Sequence, residues 1–320
     1  MQLRPLGRSG LQIAPIVFGG NVFGWTADEK RSFELLDAFV DAGFNAIDTA
    51  DVYSRWVPGH QGGESETLIG RWLKANPARR QQVLLFTKVG MDMGLEKKGL
   101  GTLWIERAVE DSLRRLGTDV IDLYQSHRPD PETSYEETLG TYDKLIKAGK
   151  IRAFGCSNFD ARVLAEAQDS ARINALPAYQ TLQPEYNLVE RASYDGPLRE
   201  LALKLGLGVI PYYSLASGFL TGKYRTEADL GQSPRGGGVR KYMNPRGMRI
   251  LGALDQVAQR HDTAPAVIAL AWLIAREGVT APIASATTLA QLESFSAAAE
   301  LRLSDNDRAT LDQASAPEAA

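Results

Sequence analysis

Cysteine is nearly absent from this 320-residue chain, and histidine is scarce: one Cys, Cys156, and three His, at 60, 127 and 261. A lone thiol cannot close an internal disulfide, so the fold has to rest on its core, and a reducing compartment is favoured. The same scarcity leaves no ligand cluster with zinc spacing, and no metal site is expected. A basic N-terminal segment followed by an unbroken apolar stretch is missing, so no signal peptide is expected. No run approaches the ~18 apolar residues that a membrane helix needs. Nor is there an excess of one charge: 36 Lys and Arg stand against 39 Asp and Glu, a net charge of -3. That balance gives no electrostatic reason for a nucleic-acid partner. The expectation is a cytoplasmic, soluble protein with neither a nucleic-acid nor a membrane partner; its oligomeric state is open.

Several common site motifs are missing as well. Gly206 and Gly208 have part of a dinucleotide-binding spacing, but they close a helix and open a strand, the reverse of the required order. Gly218 to Lys223 is one residue short of a P-loop, and Tyr224 follows where a hydroxyl ligand for magnesium belongs. Tyr-x-x-x-Lys, Gly-x-Ser-x-Gly and His-Glu-x-x-His do not occur.

What is present is a regular alternation. Residues 1–14 read as a small hairpin turning at Arg8-Ser9-Gly10. Short apolar runs follow at 15–20, 44–48, 83–88, 120–125, 151–156, 178–182, 208–211 and 280–284. Most are apolar throughout, which suits parallel strands covered on both faces. Amphipathic helices fill the gaps. Asp28 is placed to cap one that buries Phe33, Leu36 and Val40, and Ile105, Ala108, Val109, Ser112, Leu113 and Leu116 form one face of another that stops at Gly117. Ser134 and Glu137 have capping-box spacing ahead of Leu139, Tyr142, Leu145 and Ile146. Eight strand-then-helix units over this length predict an α/β fold, a single (β/α)8 TIM barrel spanning 1–320. The stretch 221–249 has no apolar period and is expected to be a mobile loop over the mouth. Residues 304–320 are expected to form a C-terminal helix and a frayed tail.

Strand ends at one mouth bring polar residues together. Asp48 ends the second run, Lys88 the third and His127 follows the fourth, while Tyr53 lies on the loop after Asp48. Reduction of a carbonyl needs a hydride at carbon and a proton at oxygen. A phenol with an ordinary pKa near ~10 is a reluctant acid–base catalyst at neutral pH, and a neighbouring ammonium is expected to bring it toward the working range. The aspartate would hold that ammonium and offset the cost of burying it. The histidine would donate to the carbonyl oxygen. None of the four is a nucleophile, so the hydride must come from a cofactor. The plain alternative is a salt bridge at a barrel mouth with a tyrosine nearby.

At these residues the sequence resembles the aldo-keto reductase superfamily. The resemblance is carried by Asp48-Thr-Ala-Asp-Val-Tyr53, Gly63-Glu-Ser-Glu66, Thr87-Lys88, Asp122-Leu-Tyr-Gln-Ser-His127, Gly155-Cys-Ser-Asn-Phe159 and Gln183-Pro-Glu-Tyr-Asn187, in order and at family spacing from about Leu6 to Leu303. It implies an oxidoreductase acting on a small carbonyl or alcohol, an aldehyde, ketone or sugar-like compound, with Tyr53 as proton donor, Lys88 and Asp48 as its tuning pair and His127 orienting the carbonyl. It also implies a nicotinamide cofactor with Tyr212 stacked under the ring, Ser157, Asn158 and Gln183 (with Asp48 nearby) at the carboxamide, and Ser214, Leu215, Ser217, Gly218 and Lys223 along the diphosphate. Ser285, Thr287 and Gln291 would hold the adenosine end. NADP(H) is the family default, but these three residues are neutral where many relatives carry Lys or Arg, so NAD(H) or dual use stays open. Arg235, Arg240, Lys241, Arg246 and Arg249 either fold over the phosphates or form a solvated basic face. Phe23, Trp25 and Trp56 are candidates for an aromatic substrate wall. Some members of the superfamily are cofactor-sensing subunits of ion channels, which is the alternative reading; a metal- or phosphate-dependent lyase or isomerase on the same barrel is a further one.

Overall fold

The computed structural model describes residues 1–94 and 97–317. A two-residue-per-strand hairpin, β1 (Arg4–Pro5) and β2 (Gln12–Ile13), pairs antiparallel across the expected turn. Eight parallel strands follow: β3 (Val17–Gly19), β4 (Ala46–Asp48), β5 (Leu84–Val89), β6 (Ile121–Ser126), β7 (Ile151–Ser157), β8 (Thr181–Gln183), β9 (Gly208–Val209) and β10 (Ile283–Ala284). Their order is β10-β3-β4-β5-β6-β7-β8-β9. The two ends of that sheet meet: Thr280 N–H donates to the Val209 carbonyl and Ile283 N–H to the Pro211 carbonyl, both at 2.8 Å. The sheet is therefore a closed (β/α)8 barrel, as the strand count predicts.

Side chains alternate along each strand, and the barrel interior is layered accordingly. Val17, Ala46, Phe86, Leu123 and Ala153 form the lower layer and are sealed from below by Leu6, Leu11 and Ile13 of the hairpin. Gly7 makes that seal possible: with φ +56° it lies so close to β9 that a Cβ would meet Gly208 N at 2.2 Å. Two residues further along the same strands, on the same face, the apolar layer gives way to Asp48, Lys88 and Gln125, all buried. This switch from apolar to polar at the strand tops is what creates a site.

The outward faces, including Ile47, Leu85, Tyr124, Phe154 and Cys156, pack under α1 (Glu29–Asp41), α2 (Glu64–Ala75), α3 (Thr102–Leu116), α4 (Tyr135–Lys147), α5 (Ala161–Ile173) and α6 (Pro197–Leu205). Cys156 is fully buried among them, a small apolar filler. Asp28 caps α1 by accepting from Arg31 N–H. That helix turns Leu35, Leu36, Phe39 and Val40 into the core and leaves Phe33 half-buried, a face rotated from the predicted one. The capping box at α4 is only half formed. Ser134 accepts from Glu137 N–H, but the Glu137 carboxylate accepts from Thr102 N–H at 2.8 Å and so caps the start of α3 instead.

The stretch 221–249 is not the irregular loop that its composition predicts. It folds into short 3₁₀ turns, a four-residue helix α7 (Gly236–Val239) and the first turn of α8 (Pro245–Arg260), which Asn244 caps. Tyr224, Val239 and Tyr242 anchor it as buried residues. Their spacing matches neither a helix nor a strand, so periodicity does not reveal them. Helices α9 (Pro265–Ala275), α10 (Leu289–Glu300) and α11 (Asp305–Ser315) complete the described chain. The predicted tail beyond residue 317 lies outside the described residues.

Candidate active site

Lys88 sits at the centre of the polar layer with no exposed surface. Its ammonium donates to Asp48 Oδ2 at 2.6 Å, to the Thr49 carbonyl at 2.8 Å and to Tyr53 OH at 3.1 Å. All three of its donors are thus engaged. Asp48 Oδ1 accepts in turn from Gln183 Nε2 at 3.0 Å and, more weakly, from Gln125 Nε2 at 3.4 Å. Because an ammonium has no acceptor, the Tyr53 oxygen accepts from Lys88 and its own hydrogen is left for another partner.

The loop that carries Tyr53 is fastened from several sides. Thr49 donates to Ser65 of α2 at 2.8 Å, Ser65 to the Gly20 carbonyl at 2.7 Å and Ser54 to the Phe23 carbonyl at 2.6 Å. Behind Lys88, Thr87 donates to the buried Glu66 at 2.6 Å, and Glu66 pairs with Arg115 at 2.6 Å. The Gly63–Glu66 motif therefore braces the floor from behind.

Burial works against the Lys88 charge, but Asp48 and Tyr53 more than offset it and hold its pKa above the ordinary value. Burial pushes the Tyr53 phenol up; Lys88 pulls the other way, and Asp48 and Tyr213 add to the rise. The net direction is upward. This corrects the expectation that the ammonium alone would draw the phenol toward neutrality, and it keeps Tyr53 protonated at pH 7. Burial, then the charges of Lys88 and Arg128, hold His127 well below the ordinary imidazole range. The ring is therefore neutral at pH 7, with one donor and one acceptor. It stands edge-on to Tyr53 with centroids 6.0 Å apart, and its Nδ1 is buried without a partner.

A cleft of about 450 Å³ runs across the mouth and takes in Asp48, Tyr53 and His127. Every residue expected along the cofactor lines it. Ser157, Asn158, Gln183, Tyr212, Ser214, Leu215, Ser217, Gly218, Lys223, Ser285, Thr287 and Gln291 are all among its lining residues. Asn158 Oδ1 accepts from Tyr212 OH at 2.7 Å while its Nδ2 donates to the His127 carbonyl at 2.8 Å, tying the three residues together. Ser285 donates to the Gly19 carbonyl and to Asn21 Oδ1, both at 2.7 Å, and Gln291 accepts from Thr287 N–H at 2.8 Å. A Cβ on Gly19 would meet Ser285 Oγ at 2.6 Å, so only glycine permits that seam.

The segment after β9 is strained. Tyr213, Ala216, Ser217 and Gly218 all have positive φ, at 54°, 48°, 56° and 95°. For a non-glycine residue this costs on the order of 1 kcal/mol each. Compact turns of this kind gather backbone N–H groups suited to anions. Lys223 lies beside them, its Nζ 5.0 Å over the Tyr224 ring, with no carboxylate in ion-pair range among the described residues. Arg235 also lines the cleft, stacked on Trp25 at 5.1 Å, with a buried Nη2 that has no acceptor. Two cations without counter-charges beside a strained turn fit the diphosphate of a dinucleotide. Of the other basic residues in this region, Arg246 and Arg249 donate instead to carbonyls at the end of α11.

The aromatic wall needs correction at two positions, since neither Phe23 nor Trp25 is among the residues lining the cleft. Phe23 is fully buried, stacked on Phe18 at 5.2 Å, and belongs to the core. Trp56 does line the cleft, with its ring 5.9 Å from Tyr53, and Trp25 stands behind it at 5.7 Å. Asn21, Met91 and Tyr213 line the cleft without having been singled out by the sequence. Only the positive φ of Tyr213 marks it, and sequence does not carry that signal. Among the described residues, no three His, Cys, Asp or Glu side chains converge to hold a metal ion.

Comparison with known proteins agrees with this architecture. The model of the aldo/keto reductase family matches residues 15–316. The chain is 33% identical over 310 residues to the uncharacterized oxidoreductase YrpG of Bacillus subtilis (strain 168), covering 95% of this chain and 92% of that protein. It is 33% identical over 319 residues to the aldo-keto reductase YhdN of the same organism, covering 96% and 92%. A probable voltage-gated potassium channel subunit beta of Oryza sativa subsp. japonica is 32% identical over 296 residues, covering 90% and 88%. The chain belongs to the aldo/keto reductase family, an oxidoreductase fold whose members act on small carbonyl compounds with a nicotinamide cofactor.

Proposed function

We propose that this protein interconverts a carbonyl and its alcohol with Tyr53 as the general acid and base. The observation that carries the reading is the Lys88 ammonium, bonded at once to Asp48 (2.6 Å) and to the Tyr53 oxygen (3.1 Å) at the foot of an open cleft. Bound in the cleft, the nicotinamide cofactor supplies or accepts the hydride. Tyr53 donates its proton to the substrate oxygen, and the phenolate left behind is stabilised by the ammonium already touching it. Neutral His127 donates one hydrogen bond to the same oxygen and shares its developing charge. Asp48 keeps Lys88 charged and in place. Tyr212, Asn158, Ser157 and Gln183 hold the reacting ring, and Lys223 with Arg235 neutralises the phosphates.

The adenosine end, at Ser285, Thr287 and Gln291, provides no cation for an additional phosphate. NADP(H), the usual cofactor of the family, is therefore proposed together with NAD(H), and fluorescence titration with NADPH and NADH measures the preference. The buried, solitary thiol supports a reducing compartment, and the whole chain is read as one barrel domain. Tyr53→Phe tests the catalytic assignment. Turnover is expected to fall ~10²–10⁴-fold with cofactor affinity nearly unchanged; wild-type turnover in that variant removes Tyr53 from the acid role. The similarity to a channel beta subunit supports a second reading, a cofactor-sensing binding protein. Carbonyl turnover by the purified chain at rates typical of enzymes rejects it.

A further inference from the structure

Among the described residues other than glycine with positive φ, six are small or polar: Ser54, Asn158, Ala175, Ala216, Ser217 and Asp262. The seventh is Tyr213, a bulky residue for which the left-handed conformation is a true outlier. Its carbonyl is clamped there by Asn187 Nδ2 at 3.0 Å and Ala216 N–H at 2.7 Å. The strain brings no burial in return, since Tyr213 remains 45% exposed. Its ring meets that of Tyr212 at 5.2 Å and lines the cleft. Trp56 lines the same cleft, is 48% exposed and borders Tyr53.

Two large exposed rings thus line the cleft that holds the proposed proton donor, Trp56 beside Tyr53 and Tyr213 beside Tyr212. Several polar side chains near the floor are already engaged: Asn158 with Tyr212 and His127, Gln183 and Gln125 with Asp48. A polyhydroxylated substrate would leave water with fewer replacement hydrogen bonds than it has hydroxyls. A flat ring would gain two aromatic contacts.

We propose that Tyr213 is a specificity-determining residue that, together with Trp56, selects carbonyl compounds built on a flat aromatic ring over open-chain aliphatic and polyhydroxylated ones. This rests on the reading of the cleft as a carbonyl-reducing site. The test measures kcat and KM for 2-naphthaldehyde, hexanal and glyceraldehyde with the full chain and its preferred cofactor, in wild type, Tyr213→Phe and Tyr213→Asn. Wild-type kcat/KM is expected to favour 2-naphthaldehyde at least about tenfold. Tyr213→Phe keeps the preference. Tyr213→Asn loses about tenfold on 2-naphthaldehyde, through KM, and changes hexanal little. Because Asn tolerates the left-handed conformation, its Tm is expected to hold or rise. Equal activity on all three aldehydes, an equal loss on all three in Tyr213→Asn, or a lower Tm in that variant overturns the proposal. Quenching of tryptophan fluorescence by unreactive 2-naphthamide separates the two levels of inference. Binding that is present in wild type and weakened in Tyr213→Asn, without turnover of any aldehyde, retains the ring clamp and rejects the carbonyl-reducing reading; absent binding rejects the clamp.

Discussion

On the floor of the cleft, Asp48, Lys88, Gln125 and Gln183 occupy the tops of ordinary strands and use their hydrogen-bonding groups on one another. On the wall after β9, four residues have left-handed backbone, and among the described residues Lys223 lacks a carboxylate and Arg235 has a buried nitrogen without an acceptor. The floor is complete before any ligand arrives, which is what a preorganised acid–base device requires. The wall is stable only at a cost that a bound anion would relieve. Changes on the floor should therefore damage folding and catalysis together. Changes on the wall should separate the two.

The largest expected effect is Lys88→Met. It leaves the buried Asp48 carboxylate without its cation, a loss of about 3–5 kcal/mol in stability by comparison with other broken buried pairs. It also removes the group that stabilises the Tyr53 phenolate, lowering kcat by ~10²–10⁴-fold. Adding Asp48→Asn should recover much of the stability, because the orphaned charge goes, while activity stays lost. Denaturant unfolding and turnover assays on the single and double variants measure the two separately. Recovery of both, or of neither, breaks the claim that the floor is one electrostatic unit.

Asp51 is the exception just behind the floor. Both of its carboxylate oxygens are buried without partners, and the nearby Tyr124 hydroxyl is unpartnered too. Burial, then the charge of Glu66, raises its pKa well above the ordinary value, while Arg115, the neighbouring Val52 N–H (too poorly placed to count as a full hydrogen bond) and Lys88 oppose the rise. A carboxyl whose folded pKa is raised stabilises the fold fully below its unfolded value of ~3.9 and loses that contribution as pH rises through the folded value. Asp51→Asn is therefore expected to raise Tm at pH 7, by an amount that shrinks as pH falls toward ~4. Melting curves of both proteins from pH 4 to 8 provide the check. A constant difference across that range would mean that Asp51 is not carrying a proton.

Much of this division was legible before the coordinates. All eight strands follow from the apolar runs, and Asp48, Lys88 and His127 from the polar residues that end three of them. The far contacts were not. Ser285 bonds to Gly19 across 266 positions and Thr87 to Glu66 across 21, and no local pattern encodes such pairs. Asp122 reads as part of the signature near His127, yet it accepts from Arg80, Arg152 and Leu85 N–H and is a brace between strands. Phe23 failed as a wall residue because an aromatic on a mouth loop looks the same in sequence whether it turns inward or outward. Tyr213 was missed for the opposite reason: strain belongs to the backbone, and the residue type gives no hint of it.

The smallest expected effect tests why the wall is built this way. Gly236, Gly237 and Gly238 follow Arg235 directly. Gly236 is required, since a Cβ there would meet the Leu230 carbonyl at 1.7 Å. Gly237 and Gly238 have open space around them and no positive φ, so neither sterics nor conformation demands glycine. Gly237→Ala with Gly238→Ala should stabilise the fold by about 0.4–1 kcal/mol per site through the unfolded chain alone. If the pair serves to let Arg235 lift from Trp25, the same variant releases cofactor more slowly, which stopped-flow fluorescence would register. A higher Tm with unchanged release makes the glycines incidental, and the wall then differs from the floor in charge and strain but not in freedom of movement.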